Sequence, residues 1–336
     1  TISVHILPQL HGKGIPFIVL ETSKRELRVI KTLKEHPLEH VRELARELQV
    51  FTVGNERCSP LRFNLLEGFS DMDPLVHIER CIENLSAFMP IFPALPGILG
   101  EALERVYGAR SAADWWPVLY EVYPACLGVL SEKDYRGEVS SNIQGALDVR
   151  LGGLTRRVAG NAFKCRRSVP SISDLMSAYS VIELDLLPQS QKCVLVLCLL
   201  TAIWEALSQM PPANGLRLVV LIEELHNIFG PSGPARPSEE AADPRAFVVD
   251  LIKRLLVELR ALGVGIILSD QHPANVDRSA IKCTAAKIVG RQPDGEDHDI
   301  LRQSVLLSHN QVEDLQRLRP GEFYFTKEGY YRPLRI

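Results

Sequence analysis

Charge of one sign is what this chain most lacks. Its 38 lysines and arginines nearly balance 41 aspartates and glutamates, for a formal net charge of -3. No whole-surface field therefore draws in nucleic acid, and any contact with a polyanion must use local basic patches. Long apolar runs are missing as well. The longest lies around Cys193 to Leu200, far short of the roughly 20 residues that span a bilayer, and the first residues do not resemble a secretory signal. The expectation is a soluble, cytosolic protein with no membrane partner. The seven cysteines (Cys58, Cys81, Cys126, Cys165, Cys193, Cys198 and Cys283) include no C-x-x-C pair, and no histidine stands at zinc-finger spacing. Reduced, mostly buried thiols follow from that, rather than a disulfide framework or a zinc site. No internal repeat and no heptad run is present.

What the chain does have is a 46% share of hydrophobic residues over 336 positions, enough core for one large α/β domain or two modest ones. Ile2 to Leu10 reads as the tail of a helix, Gly12 and Gly14 punctuate it, and Pro16 to Glu21 (PFIVLE) is a short apolar strand ending in a carboxylate. Helical patterns follow from Lys24 and from Leu38, then a strand at Phe51 to Val53. From Pro74 to about Gly160 apolar residues recur three and four apart, the helical period. Sheet signals return at Ser180 to Leu184, followed by an apolar helix, Gln191 to Leu207, and a strand, Leu216 to Ile222. Gly230 to Pro244, rich in Pro, Gly, Ser and Glu, reads as a mobile loop. Helix Phe247 to Leu262 and strand Val264 to Ser269 come next, and a strand at Ala286 to Gly290 closes the series. A last hairpin, GEFYF to YYRPLRI, is antiparallel. Strands alternating with helices predict an α/β fold with a mostly parallel sheet flanked by helices. Residues 1–72 and 171–336 form the two parts of its core, and residues 73–170 an all-helical insertion.

The sharpest chemical feature is LRLVVLIEELHNIFG, where an apolar strand runs straight into Glu223, Glu224 and then His226. In open α/β sheets ligands sit at the carboxyl ends of the strands. A nucleotide hydrolase of the P-loop type needs two acids there, one to hold magnesium and the next to orient the attacking water. Capping the following helix is the plainer use, but it needs only one acid. In ELRALGVGIILSDQHP a helix ending in Arg260 turns through Gly263 into a strand that delivers Ser269, Asp270 and Gln271. A carboxamide beside the acids suits a sensor of the γ-phosphate.

These stretches carry a family resemblance. LVVLIEELHNIFG is similar to the second nucleotide-binding motif of HerA/FtsK-like ATPases, and ELRALGVGIILSDQHPANVDRSAIKCTAAKIVGR resembles the segment downstream of that motif in the family. GIPFIVLETSKREL, SVIELDLLPQSQKCVLVLCLLTAIWEAL and LRPGEFYF resemble further core segments of that family, while the helical middle matches only weakly. The resemblance implies a RecA-like fold, ATP and magnesium, a homohexameric ring and movement along double-stranded DNA. It puts Glu223 at the magnesium-side carboxylate, where many relatives have Asp, Glu224 at the catalytic carboxylate and Gln271 at the sensor. Arg260 and Arg291 are its two candidates for an arginine reaching a neighbour's nucleotide, with ordinary surface pairing as the alternative for both. His226 is expected to be a satisfied helix-start residue.

One departure stands out. The family's G-x-x-x-x-G-K-[ST] loop, whose amides and lysine cradle phosphates, is absent, and Gly12-Lys13 precedes a strand rather than opening a helix. Alignment places Thr1 at, or one residue beyond, the last position of that loop, so the sequence is expected to begin after it. Basic residues concentrate at Arg150, Arg156, Arg157, Lys164, Arg166 and Arg167. Phosphate neutralisation along a pore suits them, and a solvated face or an intersubunit patch suits them equally. Two other readings stay open: a non-hydrolysing ring scaffold for a nuclease or other effector, as in bacterial defence complexes, and a secretion or conjugation motor.

Overall fold

The computed structural model describes residues 2–69, 71–89, 94–109, 116–133, 137–230 and 244–336. Thr1 and positions 231–243, most of the loop expected between Gly230 and Pro244, lie outside them. Helix α1 (Ser3–Gly12) turns through Gly14, whose φ of 66° is open to glycine, into strand β1 (Phe17–Glu21). The helix expected from Lys24 is instead a single 3-10 segment, Leu27–Thr32. Its start is pinned from outside, because the Glu21 carboxylate takes the amides of both Glu26 and Leu27. Helix α2 (Glu39–Glu47) and strands β2 (Gln49–Val53) and β3 (Pro60–Leu61) follow.

Helices α3 (Pro74–Ala87), α4 (Leu95–Ala109), α5 (Leu119–Glu132), α6 (Gly137–Thr155) and α7 (Arg157–Phe163) fill the stretch read as helical. Asp73 caps α3 by accepting the Leu75 amide, with Pro74 in the first turn where its missing N–H costs nothing. Successive helices pack on one another through buried Leu99, Leu103, Val122, Val129, Leu147 and Leu151. Then come α8 (Ile172–Ser177), β4 (Tyr179–Glu183), α9 (Gln189–Ser208), β5 (Leu218–Glu223), α10 (His226–Phe229), α11 (Pro244–Ala261) and β6 (Val264–Leu268). The chain ends with α12 (Arg278–Lys282), β7 (Ala286–Val289), α13 (Gly295–Val305), α14 (His309–Asp314), β8 (Tyr324–Lys327) and β9 (Leu334–Arg335).

These elements divide into two units, Thr1–Glu223 with Gly233–Leu268, and Glu224–Ser232 with Ser269–Ile336. In the first, strands run in the order β3-β2-β4-β1-β5-β6 and every pair is parallel. Parallel strands covered on both faces read as continuous apolar runs, and β1 and β5 are buried at every position. Phe17, Val19, Val181 and Leu221 form the core with Leu7 of α1 and Leu44 of α2. From β1 the chain moves out to β2 and β3; after β4 it crosses to β5 and β6 on the other side. β1 thus stands at the reversal, the place where open sheets bind ligands at their carboxyl ends. By length and composition α9 could cross a membrane, but 83% of its most apolar window is buried within the fold.

The second unit holds the antiparallel sheet β7-β8-β9, so the expected closing hairpin forms. The expectation that Ala286 to Gly290 closes the parallel series is corrected, since β7 pairs antiparallel with β8 in this separate sheet. The physical reason is two-sidedness. Val289 packs under Leu301 and Tyr324 while its neighbour Ile288 is 45% exposed, the alternation of a sheet with one solvated face.

Candidate functional site

In the first unit the adjacent strands β4, β1 and β5 stop in register on the same residue type: Glu21 lies opposite Glu183 on one side and Glu223 on the other. The three are 0% (Glu183), 2% (Glu21) and 9% (Glu223) exposed, an arrangement that is costly unless each acid is held or its charge is used. Glu183 is gripped by the Arg28 fork, Nε to Oε1 at 2.7 Å and Nη2 to Oε2, and by the Thr52 hydroxyl at 2.6 Å. Glu21 takes two backbone amides on Oε1, at 2.8 and 2.9 Å, while its buried Oε2 has no hydrogen-bond partner. Burial drives its pKa up to about 7; the amides oppose this, and the neighbouring Glu223 and Glu183 charges add to it.

Glu223 is fixed at both ends of the residue. Its Oε1 accepts the Ser3 hydroxyl, and its backbone carbonyl accepts the Thr22 hydroxyl at 2.9 Å. The buried Lys192 ammonium donates to the Thr22 carbonyl, and burial holds its pKa below the usual lysine range. Glu21, Glu183 and Ser3 were not singled out from the sequence. A signal existed: PFIVLE and SVIEL end apolar runs in glutamate just as LVVLIE does.

In the second unit Glu224 has φ 52°, a left-handed conformation uncommon for a residue with a side chain. Its Oε1 accepts the Gln271 carboxamide at 2.6 Å, so the structure joins the two residues expected to be catalytic carboxylate and sensor. Asp270 takes the His226 amide at 2.7 Å and lies 2.9 Å from His226 Nδ1, while His226 Nε2 is 3.8 Å from Glu224 Oε2. The segments are tied by a backbone bond from Leu225 to the Ser269 carbonyl at 3.1 Å. His226 thus has its partners at the start of α10, and Asp270 is the addition the structure makes. Chemically this is a carboxylate held by an amide beside an aspartate-bound imidazole.

Arg260 is exposed at the end of α11, and Arg291, exposed beyond β7, donates from Nε to the Gln316 carbonyl at 3.1 Å. Neither enters the bonds of Glu223 or Glu224 described above. In the basic segment Arg150 stacks over Phe88, 5.2 Å from the ring centroid. Arg156 pairs with Asp148 at 2.8 Å and Arg166 lies 3.6 Å from Glu121. Arg157 opens α7, Lys164 follows its last residue, and both are exposed, as is Arg167.

No family model and no curated protein sequence matches the chain. Solved structures do resemble it in fold. VirB4 of Thermoanaerobacter pseudethanolicus aligns with a TM-score of 0.67 at 14% identity, covering 99% of this chain and 84% of that one. The bacterial conjugative coupling protein TrwB, in an unbound form, aligns at 0.55 and 10% identity, covering 96% and 85%. TrwB in complex with ADP and Mg2+ aligns at 0.53 and 10% identity, covering 96% and 84%. The chain shares with them an α/β architecture, here a parallel six-stranded sheet flanked by helices.

Proposed function

We propose that this chain is the ATPase core of a ring-forming motor of the FtsK, HerA and VirB4 kind, which couples ATP hydrolysis to movement along double-stranded DNA. What carries the reading is a pair of consecutive acids: Glu223, the last residue of β5, has one oxygen fixed by Ser3, and Glu224, next in the chain, has one oxygen fixed by Gln271. The similarity in fold to TrwB, which binds ADP with Mg2+, supports ATP as substrate and magnesium as cofactor. The donors fit that ion. Carboxylate oxygens are hard ligands, Glu21 Oε2 is buried without a partner, and among the described residues no three His, Cys, Asp or Glu side chains form a cage. Magnesium is commonly held by one or two carboxylates with substrate phosphates rather than by an all-protein cage. Glu223 would hold it, directly or through water, and the bound ion would neutralise charge on the phosphate oxygens. Glu224 orients the attacking water and receives its proton, and Gln271 sets the angle of that carboxylate while its amide can exchange toward the γ-phosphate.

A charge supplied from a neighbour completes this scheme, with Arg260 or Arg291 as the donor. The natural protein should therefore assemble with nucleotide, into six subunits by mass measurement. A strict monomer that still hydrolyses ATP efficiently would rule out the trans arginine.

For DNA, the exposed Arg156 and Arg157 are the residues to remove. The Arg156 pair with Asp148 is solvent-exposed and worth little, so a phosphate can displace it. Arg156→Ala with Arg157→Ala should reduce the slope of log affinity against log salt by roughly two, since each neutralised phosphate releases about 0.9 of a counterion. An unchanged slope with intact assembly would move the segment to an outer surface and favour a scaffold for a nuclease or other effector. The fold similarity to VirB4 and TrwB favours a second reading, a secretion or conjugation motor of the same chemistry. Stimulation of hydrolysis by double-stranded DNA separates the two.

A further inference from the structure

We infer that Ser3 is a positioning residue for the metal-side carboxylate: its hydroxyl fixes the rotation of the Glu223 side chain from which that acid serves magnesium. The inference rests on the ATPase reading above and adds a residue to it. A serine in the first turn of a helix ordinarily turns its hydroxyl to its own backbone. Ser3 does not close α1 that way; its hydroxyl reaches Glu223 Oε1, 220 residues further along the chain. Ser3 is 1% exposed and Glu223 9%, so water is a poor substitute for either partner. Hydrogen bonds to a buried carboxylate are among the stronger ones.

The position of the Glu223 backbone does not depend on this bond. It is set by the β1–β5 ladder, which places Glu223 opposite Glu21, and by the Thr22 hydroxyl on the Glu223 carbonyl, itself backed by Lys192 on the Thr22 carbonyl. What Ser3 adds is confined to the side chain. There the need is specific, because Glu223 ends its strand as a buried acid beside Glu21, and a buried carboxylate needs a donor to hold it in one orientation. Ser3 holds the Glu223 side chain in place before any cation arrives, so binding the ion requires no reorientation of its ligand.

The test measures ADP affinity of the natural protein in magnesium and in EDTA, the ratio of the two being the metal's contribution. Ser3→Ala should cut that ratio by about tenfold, the loss of one hydrogen bond to a charged group, with the affinity in EDTA unchanged. In a Glu223→Ala background, where no carboxylate remains to be held, Ser3→Ala should have no further effect. If the parental protein shows no magnesium dependence at all, the ATPase reading falls and this inference falls with it. Should the parental ratio be large and Ser3→Ala equal it, only the positioning role is overturned. That role is overturned too if Ser3→Ala weakens binding equally in EDTA, or acts just as strongly in the Glu223→Ala background, since either marks a structural role alone.

Discussion

Glu224→Gln is expected to slow ATP hydrolysis by the natural protein on the order of a hundred- to ten-thousand-fold, the range a positioned general base contributes, with nucleotide binding nearly unchanged. The substitution preserves shape and removes one chemical ability, that of accepting a proton. Gln271 already donates to Glu224 Oε1 at 2.6 Å. A carboxamide at 224 can still meet Gln271 through its own oxygen, so the link between the two segments survives and only the capacity to accept a proton is lost. The left-handed backbone at Glu224 is retained as well, which separates this variant from a Gly or Pro replacement. Turnover assayed with a phosphate-release method decides the matter. Hydrolysis at the parental rate would remove Glu224 from the chemistry.

The second large effect concerns stability and lies away from the strand ends. His77 of α3 is buried with both Glu205 carboxylate oxygens of α9 at 2.9 and 3.0 Å from Nδ1, and with the Tyr107 hydroxyl 2.9 Å from Nε2. Burial alone would lower the imidazole pKa; the Cys81 sulfur 3.5 Å away and the Glu205 carboxylate outweigh it and push the value up to about 11. Glu205→Ala leaves a buried cation without its counter-charge and should cost about 3–5 kcal/mol of unfolding free energy. The sign of the pH dependence follows from the raised pKa. The folded protein keeps a proton that the unfolded chain releases near 6.5, so the contribution is complete below that pH and is lost as pH rises toward about 11. Across that window the group lowers stability by about 1.4 kcal/mol per pH unit. Denaturant titrations from pH 7 to 9 should therefore fall less steeply for Glu205→Ala than for the parent. Parallel curves would mean that His77 is neutral in the fold.

That pair also shows what a sequence withholds. Glu205 sits in the apolar helix run AIWEAL and His77 in PLVHIER, and nothing local says that two polar residues 128 positions apart neutralise each other in the core. The strands of the parallel sheet were legible apart from β3, because buried parallel strands are unbroken apolar runs of distinctive composition, whereas Pro60–Leu61 is only two residues in a turn-rich stretch. Glu223, Glu224 and Gln271 could be picked out as candidates for a similar reason: an acid or amide at or just beyond the end of such a run is conspicuous. The row formed by Glu21, Glu183 and Glu223 was not, since it depends on strand order, and strand order places residues 21, 183 and 223 side by side. β7 was misread because four residues, AKIV, are too few to tell alternation from a buried run. Pairing within the basic segment, Arg156 with Asp148 above all, likewise emerges only when α6 and α7 meet.

The central claim is that the acids at the end of β5 serve nucleotide hydrolysis, and the most direct measurement is ATP turnover by the natural protein with magnesium and with EDTA. Turnover that needs magnesium, that rises when double-stranded DNA is added, and that disappears in both Glu223→Ala and Glu224→Gln is the result expected. Absence of magnesium-dependent turnover from a folded, nucleotide-saturated natural protein, or turnover that survives both substitutions, would contradict it.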